Sequence, residues 1–265
     1  AAQVVTLQQR QFNRHIFEAV RLLARVSYPS LPGSANELIG SEAIETRTQR
    51  ELRQFLASDK VLEFPEVANP EISVLLILYN RAELTLNCLR SLLQSTFQSL
   101  EVVIVDSAST DETGQLLQRI RGARIFRNDY NAHFIMAANQ AAKASSGKNL
   151  LFLNNDTQLD PCAIESAMNA LRERPNAGAI GARLLQPNGR LQEAGSIVWK
   201  TGSCCGLGRG EAPDSYAFAF RRLTDYVSGA FLLTPRSLFE KRGGFDVRFA
   251  PAYYEDVDYC LGLWQ

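Results

Sequence analysis

Short apolar runs alternate with helical patterns along the chain from about residue 71 onward. Apolar runs of this kind are typical of strands that are buried on both faces of a sheet. They predict strands over residues 73–79, 100–105, 124–126, 149–153 and 177–185. Because helical patterns lie between the runs, we expect an α/β domain with a mostly parallel sheet, right-handed crossovers and flanking helices.

Polar residues before two of the predicted helices have the spacing of helix caps. Asn80 is followed by Glu83, and Ser109 is followed by Glu112. In such a pair the first side chain bonds the helix backbone, and the glutamate bonds back to the cap residue. We therefore expect Asn80 and Ser109 to be N-caps.

The first 70 residues have a different pattern. Apolar residues recur at helical spacing over residues 3–27, with arginines between them, and a second, polar-rich helix is predicted over residues 41–58. We expect a helical N-terminal extension over residues 1–70, followed by the α/β domain over residues 71–265. The basic stripe favours packing on the neighbouring domain, and peripheral association with a membrane surface is the alternative.

Composition excludes several classes of protein. Hydrophobic residues make up 46% of the 265 residues and charged residues 21%, which does not fit a disordered chain. The 28 Lys and Arg balance the 28 Asp and Glu, so we expect no nucleic-acid partner. No apolar run approaches the roughly 20 residues of a membrane-spanning helix.

The cysteines and the chain ends predict the redox state and the extent of the protein. The five cysteines are scattered and form no CxxC pair. This pattern is typical of reduced thiols in a cytoplasmic protein. The adjacent Cys204 and Cys205 leave a redox pair or soft-metal ligands as the alternative. The chain has no initiator Met and ends at Gln265 without a helix-ending signal, so we expect further domains of a longer polypeptide.

Acids follow two of the predicted strands. Asp106 ends the run over residues 100–105, and Asn154, Asn155 and Asp156 follow the run over residues 149–153. Ligands of parallel sheets bind outside the carboxyl ends of the strands. An acid there accepts hydrogen bonds from a ribose or base, or holds a divalent cation that phosphate oxygens share. Capping of the next helix or turn is the alternative.

Phosphate-binding glycine loops are absent from the sequence. No GxGxxG follows the first predicted strand, and GxxxxGK[ST] does not occur. Without these loops, the chain lacks the phosphate-binding motif of dinucleotide-dependent dehydrogenases and of P-loop nucleoside triphosphatases. A nucleotide diphosphate bound by this chain would need a metal to neutralise its charge, which points to Asp156.

Three carboxylates gather near the end of the chain. Glu255, Asp256 and Asp258 lie within YYEDVDYC, after GGFD. Like charges in a partly enclosed place raise one another's pKa, as a general base requires. Helical spacing places Glu255 near Asp258. Acids favoured by a helix dipole would explain one or two of the three.

Together these motifs resemble a family 2 glycosyltransferase with the GT-A fold. The resemblance covers about residues 71–265, and five motifs occur in the expected order. They are SVLLILYN (73–80), VIVDSASTD (103–111), FLNNDTQLD (152–160), DYVSGAFLLTPRSLF (225–239) and GGFDVRFAPAYYEDVDYC (243–260).

The resemblance implies a nucleotide-sugar donor, linked to UDP, GDP or dTDP, and a divalent Mn2+ or Mg2+. It implies transfer to a hydroxyl of a glycan or lipid-linked acceptor, usually with inversion, in the synthesis of a bacterial cell-envelope polysaccharide. The place would be the cytoplasm, at the inner face of the membrane. A degenerate module that binds a nucleotide sugar or another protein without turnover is the alternative. A nucleotidyltransferase is disfavoured because residues 79–82 contain no glycine-rich basic loop.

The resemblance also implies roles for individual residues. Asp156 would bind the metal, Asp256 would be the catalytic base, and Glu255 would position the acceptor or the base. The residues expected near the nucleotide share positions at or after strand ends: Asn80, Asp106, Asp111, Asn154 and Asn155.

Several positions depart from the family pattern, among them two near the predicted site residues. His133 stands where a glycine is usual near the donor pocket, and Gly262 stands where an arginine is common. Two interpretations of His133 are open: it lies on the surface of a helix, or it contacts the nucleotide-sugar donor. The glycine- and aromatic-rich residues 206–220 predict a loop on the acceptor side. Trp199 and Trp264 either stack on a sugar or pack in the core.

Overall fold

A computed structural model describes residues 47–264. Residues 47–56 form a helix, α1, which agrees with the helix predicted over residues 41–58; the helix predicted over residues 3–27 lies outside the described residues. Leu52 and Phe55 of α1 are buried in the same core as the central strands. The described part of the predicted extension thus packs against the α/β domain, where Arg90 lies over the ring of Phe55.

A mixed sheet of six strands forms the centre of the molecule, in the order β5-β3-β2-β6-β12-β7. Strands β5, β3, β2 and β6 are parallel, and β12 is antiparallel to both of its neighbours. The twelve described strands are β1 (Leu62–Glu63), β2 (Ile72–Leu78), β3 (Leu100–Asp106), β4 (Ile120–Arg121), β5 (Arg124–Arg127), β6 (Asn149–Asn154), β7 (Ile180–Gly181), β8 (Leu184–Leu185), β9 (Leu191–Glu193), β10 (Ser196–Val198), β11 (Cys204–Gly206) and β12 (Phe231–Pro235).

Helices cover both faces of the sheet. The described helices after α1 are α2 (Ala82–Leu93), α3 (Thr113–Leu117), α4 (His133–Ala144), α5 (Ala163–Glu173), α6 (Arg236–Arg242) and α7 (Glu255–Leu263), with a 3₁₀ turn at Val247–Phe249. Within residues 47–264, every helix is too short or too polar to span a membrane.

The predicted parallel strands are confirmed to within a residue or two, and two features differ. The run over residues 177–185 is split, because β7 pairs with β12 while β8 pairs with β9. Strand β12 was not predicted; its short apolar run leads into a proline. Pairing of Phe231 with Leu153 places the start of β12 beside the carboxyl end of β6.

Aromatic rings fill the core on one side of the sheet. Phe152 of β6 is fully buried, with ring centroids 5.0 Å from Phe239 and 4.7 Å from Phe245. Tyr259 of α7 packs edge-on against Phe245 at 5.7 Å. These contacts fasten α6 and α7 to the sheet, and α7 carries two of the predicted site residues.

Replacement of Phe152 tests this packing. Phe152→Ala should lower the free energy of unfolding by about 3–5 kcal/mol, because it leaves a cavity among rings that cannot collapse fully. Tyr216→Ala is the control, since Tyr216 is 90% exposed and a change there should stay within about 0.5 kcal/mol. Urea unfolding followed by circular dichroism measures both. Equal losses would contradict the packing described.

Candidate active site

The carboxyl ends of the central strands bring the predicted residues to one edge of the sheet. Asp106 ends β3 and pairs in register with Leu78 of β2. Asn154 ends β6, and its backbone N–H donates to the carbonyl of Ala230 at 3.2 Å. The segment that leads into β12 therefore joins the same edge, because β12 runs in the opposite direction.

Asp106 is fully buried and anchors two groups at this edge. Its Oδ1 accepts a hydrogen bond from the backbone N–H of Ser109 at 3.0 Å, and its Oδ2 accepts one from Arg127 Nε at 3.0 Å. The Arg127 side chain is half-exposed, so a buried carboxylate holds a cation that faces solvent. Sequence reasoning missed Arg127, which ends the neighbouring strand β5.

Asn80 and Asp111 lock the loops after β2 and β3 together. The Asn80 side-chain Oδ1 accepts the backbone N–H of Thr110 at 2.8 Å. The two carboxylate oxygens of Asp111 accept the N–H of Ala82 at 2.9 Å and of Thr113 at 3.0 Å. The cap prediction is wrong for Asn80 and Ser109: Asp111 serves the starts of both α2 and α3. Asn80 has φ of 60°, which directs its side chain to the other loop.

The same contacts set the charge state of Asp111. Burial acts to raise its pKa, but hydrogen bonds from the backbone N–H groups of Ala82 and Thr113 outweigh burial and leave the pKa below its usual value. Asp111 is therefore a fixed negative charge between the two loops.

The residues after β6 divide into anchoring and exposed groups. The side-chain amide of Asn155 donates to Thr85 Oγ1 at 2.9 Å, which ties the turn to α2. Asp156 is exposed at the tip of that turn. Of the three predicted residues, Asp156 is thus the most exposed.

The donor set at this turn fits a cation that a nucleotide brings with it. No cluster of three or more His, Cys, Asp or Glu suited to a metal occurs among residues 47–264. One exposed carboxylate matches Mg2+ or Mn2+ sites in which substrate phosphates and water supply most ligands. Asp156 could supply that carboxylate, because its side chain is exposed.

Asp256 joins the edge through the segment before β12. Its Oδ2 accepts the backbone N–H of Gly229 at 3.0 Å, and its Oδ1 accepts the N–H of Val257 at 2.8 Å. Gly229 precedes Ala230, which bonds the end of β6. Asp156 and Asp256, one hundred positions apart in the sequence, are therefore attached to the same corner of the sheet.

The acids of α7 have raised pKa values. Burial raises the pKa of Asp256, against hydrogen bonds from Gly229 and Val257 that lower it. Burial, and then the charge of Asp256, raises the pKa of Glu255 to about 7. Burial and then Asp246 raise the pKa of Asp258. The expected partner of Glu255 was Asp258, but the charge that acts on Glu255 is that of Asp256, and Asp258 interacts with Asp246.

The raised pKa of Glu255 predicts a pH-dependent stability. The folded protein binds this proton more tightly than the unfolded chain, so its contribution to the free energy of unfolding falls as pH rises from about 4.5 to about 7. Glu255→Gln should therefore stabilise the protein at pH 8, by about 3 kcal/mol at most, and give no gain at pH 4.5. Urea titrations at both pH values measure this, with exposed Glu66→Gln as control. A gain of the same size at both pH values would contradict it.

Comparison with known sequences identifies the family. The model described as Glycosyl transferase family 2 matches residues 73–241, well over half of the chain. The chain belongs to glycosyl transferase family 2.

Two relatives with known names are similar to this chain in sequence. The O-antigen biosynthesis protein RfbC of Myxococcus xanthus is 34% identical over 201 residues, which cover 71% of this chain and 16% of that protein. The N-acetylglucosaminyl-diphospho-decaprenol L-rhamnosyltransferase of Mycobacterium tuberculosis is 28% identical over 194 residues, which cover 64% of this chain and 62% of the relative. The chain thus spans less than two thirds of either relative.

A solved structure supports the fold. The mannosyltransferase PcManGT from Pyrobaculum calidifontis, in complex with GDP-Man and Mn2+, matches with a TM-score of 0.54 and 19% identity, covering 87% of this chain and 61% of that one. The likeness confirms the predicted GT-A fold.

This family 2 chain carries a further buried acid that sequence reasoning missed. Glu193 of β9 is 7% exposed, and burial, followed by the charge of Asp256, raises its pKa. The available signal was the strand alternation: Leu191 and Glu193 occupy the same, inward face of β9. A carboxylate on an inward position of a strand is unusual without a partner or a ligand.

The remaining predicted residues lie at the periphery. His133 is exposed at the start of α4 with φ of 56°, and its N–H donates to Asn131 Oδ1 at 2.8 Å. Trp199 and Trp264 are more than half exposed, which excludes core packing. The place of a side chain at Gly262 is filled by the guanidinium of Arg242. All five cysteines are free thiols, Cys204 and Cys205 included.

Proposed function

We propose that this chain transfers a sugar from a nucleoside diphosphate sugar to an acceptor hydroxyl, with inversion at the anomeric carbon. The observation that carries the proposal is the common location of Asp106, Asp156 and Asp256 at one sheet edge. Asp106 lies where a nucleoside would bind, Asp156 suits a diphosphate with its cation, and Asp256 suits the removal of a proton from the acceptor.

At the donor end, the nucleobase would lie against Arg127, which the buried carboxylate of Asp106 holds in place, and the loops locked by Asn80 and Asp111 form its border. Asn154 and Asn155 shape the turn that carries Asp156, and Asp156 would hold Mn2+ or Mg2+ beside the diphosphate. When bound, the cation supplies positive charge to the departing diphosphate.

At the acceptor end, Asp256 takes the proton of the attacking hydroxyl. As the hydroxyl oxygen forms its bond to the anomeric carbon, the bond from that carbon to the diphosphate breaks, and the electron pair leaves with the diphosphate. The raised pKa makes Asp256 a stronger base than a solvated aspartate, while the N–H groups of Gly229 and Val257 fix its orientation. Glu255, buried beside it, positions the base.

Substrate classes follow from the relatives by analogy. One relative is named for O-antigen biosynthesis and another for rhamnosyl transfer to a lipid diphosphate sugar. We infer a donor linked to UDP, GDP or dTDP, a glycan or lipid-linked acceptor, and a role in a bacterial cell-envelope polysaccharide. The place of action would be the cytoplasmic face of the membrane.

Two measurements test the proposal. Calorimetry with UDP, GDP and dTDP, each with and without Mn2+, should show metal-dependent binding of at least one nucleotide. A panel of nucleotide sugars should then release the matching nucleoside diphosphate. Binding without release would favour a module without turnover, and the absence of both would contradict the proposal.

A further inference from the structure

A cavity of about 550 Å³ opens beside the acids of the site. Two of its lining residues are glycines for a steric reason. A Cβ at Gly206 would lie 2.7 Å from the Cβ of Glu193, and one at Gly208 would lie 2.9 Å from the ring of Phe218. Glycine at these two positions therefore allows Glu193 and Phe218 to pack closely against the backbone of the lining. Its lining is Glu193, Cys204, Cys205, Gly206, Gly208, Arg209, Glu211, Phe218 and Tyr226.

Consecutive peptide groups join this cavity to the proposed base. The N–H of Ser228 faces the carboxylate of Glu193, and the next N–H, of Gly229, bonds Asp256. The charge of Asp256 acts on Glu193 and also on Tyr226, another lining residue. Glu193 thus lines the cavity and is close enough to Asp256 for the two carboxylates to act on each other electrostatically.

A second observation points to a ligand next to Asp256. The Oε2 of Glu255 is buried and has no hydrogen-bond partner among the described residues, and Glu255 lies beside Asp256. Buried carboxylate oxygens normally take hydrogen bonds, since an unsatisfied one is costly. Hydroxyl groups of a bound molecule are the donors that such a group of acids lacks.

We propose that Glu193 is an acceptor-binding residue: its carboxylate accepts a hydrogen bond from an acceptor hydroxyl next to the one that Asp256 deprotonates. The acceptor unit is an uncharged sugar ring, which the aromatic side chains of Phe218 and Tyr226 in the lining suit. The site disfavours an anion because its charge is negative overall: three acids, Glu193, Glu211 and Asp256, outnumber the one base, Arg209. This inference rests on the proposed function.

Cys205 supplies a readout that needs no turnover, because it is exposed and lines the cavity. In a Cys162→Ser background, which removes the other exposed thiol, alkylation of Cys205 by iodoacetamide is followed by mass spectrometry. The probes are octyl glycosides of glucose, galactose, rhamnose and N-acetylglucosamine. At least one should slow the alkylation in a saturable way, whereas UDP with Mn2+ alone should not.

Substitution of Glu193 should weaken that protection. Glu193→Gln should raise the half-saturating glycoside concentration about tenfold or more, the loss of about 1.4 kcal/mol expected for a hydrogen bond to a charged group. Glu193→Asp should recover part of the loss, and Glu66→Gln, at an exposed glutamate, should change nothing. Nucleotide affinity and thermal unfolding of each variant show whether the fold is kept.

The outcomes separate this inference from the proposed function. Protection that is absent with every glycoside, or equal in Glu193→Gln and the parent, would overturn the inference even if nucleotides bind and turn over. Glycoside protection without any nucleotide binding would overturn the proposed function and leave Glu193 as a sugar-binding residue.

Discussion

Asp256→Asn should reduce sugar transfer roughly 10²–10⁴-fold, the usual contribution of a general base. The amide keeps the shape of the side chain and can still accept the N–H of Gly229 at one oxygen. It cannot take a proton from the acceptor. Nucleoside diphosphate affinity should stay within about twofold, because the loss falls on the reaction step and not on donor binding. Steady-state rates and calorimetry measure the two quantities.

Asp258→Asn is the matched control for that experiment. Asp258 lies on the same helix and also has a raised pKa, but its charge interacts with Asp246, Arg242 and Arg248 and not with the sheet edge. Transfer should therefore stay within about threefold of the parent, as for a site that makes no transition-state contact. If Asp256→Asn lowered binding and turnover equally, or if Asp258→Asn lost as much activity, Asp256 would not be the base.

Asp156→Ala should abolish the effect of Mn2+ on nucleotide binding. With the carboxylate gone, the cation has no protein ligand at the turn after β6, so UDP or GDP affinity in Mn2+ should fall roughly 10–100-fold, to the metal-free value. Affinity without metal should barely change, because Asp156 is exposed and the turn is held by Asn155. Calorimetric titrations at fixed Mn2+ measure the difference.

Asp160→Asn is the control for the metal prediction. Asp160 is also exposed and follows the same turn, and its side chain bonds the N–H of Cys162, a contact that asparagine can preserve. Mn2+ should strengthen nucleotide binding to this variant as it does to the parent. A metal effect that survives in Asp156→Ala would assign the cation to other residues.

The sequence predicts the parallel strands well because their apolar runs are short, nearly unbroken and buried on both faces. For the same reason it places Asp106 and Asp156 at a ligand edge. It does not predict β12, and the attachment of Asp256 depends on that strand: the Gly229 N–H reaches Asp256 because β12 enters the sheet antiparallel to β6.

Contacts between distant loops are the other part that sequence patterns miss. Asp111 caps a helix that begins 29 positions earlier, so local spacing assigned that role to Asn80. Arg127 and Glu193 belong to no motif in the sequence, and their importance follows from what lies beside them in the fold. Patterns along the chain report periodicity and nearest neighbours, not pairs that the sheet brings together.

The most direct test of the account is a crystal structure with a nucleoside diphosphate and Mn2+. We expect the base beside Asp106 and Arg127, the cation bound by Asp156 and both phosphates, and the terminal phosphate facing Asp256 across the corner where β6 meets β12. A nucleotide bound elsewhere, or a cation held away from Asp156, would contradict the account.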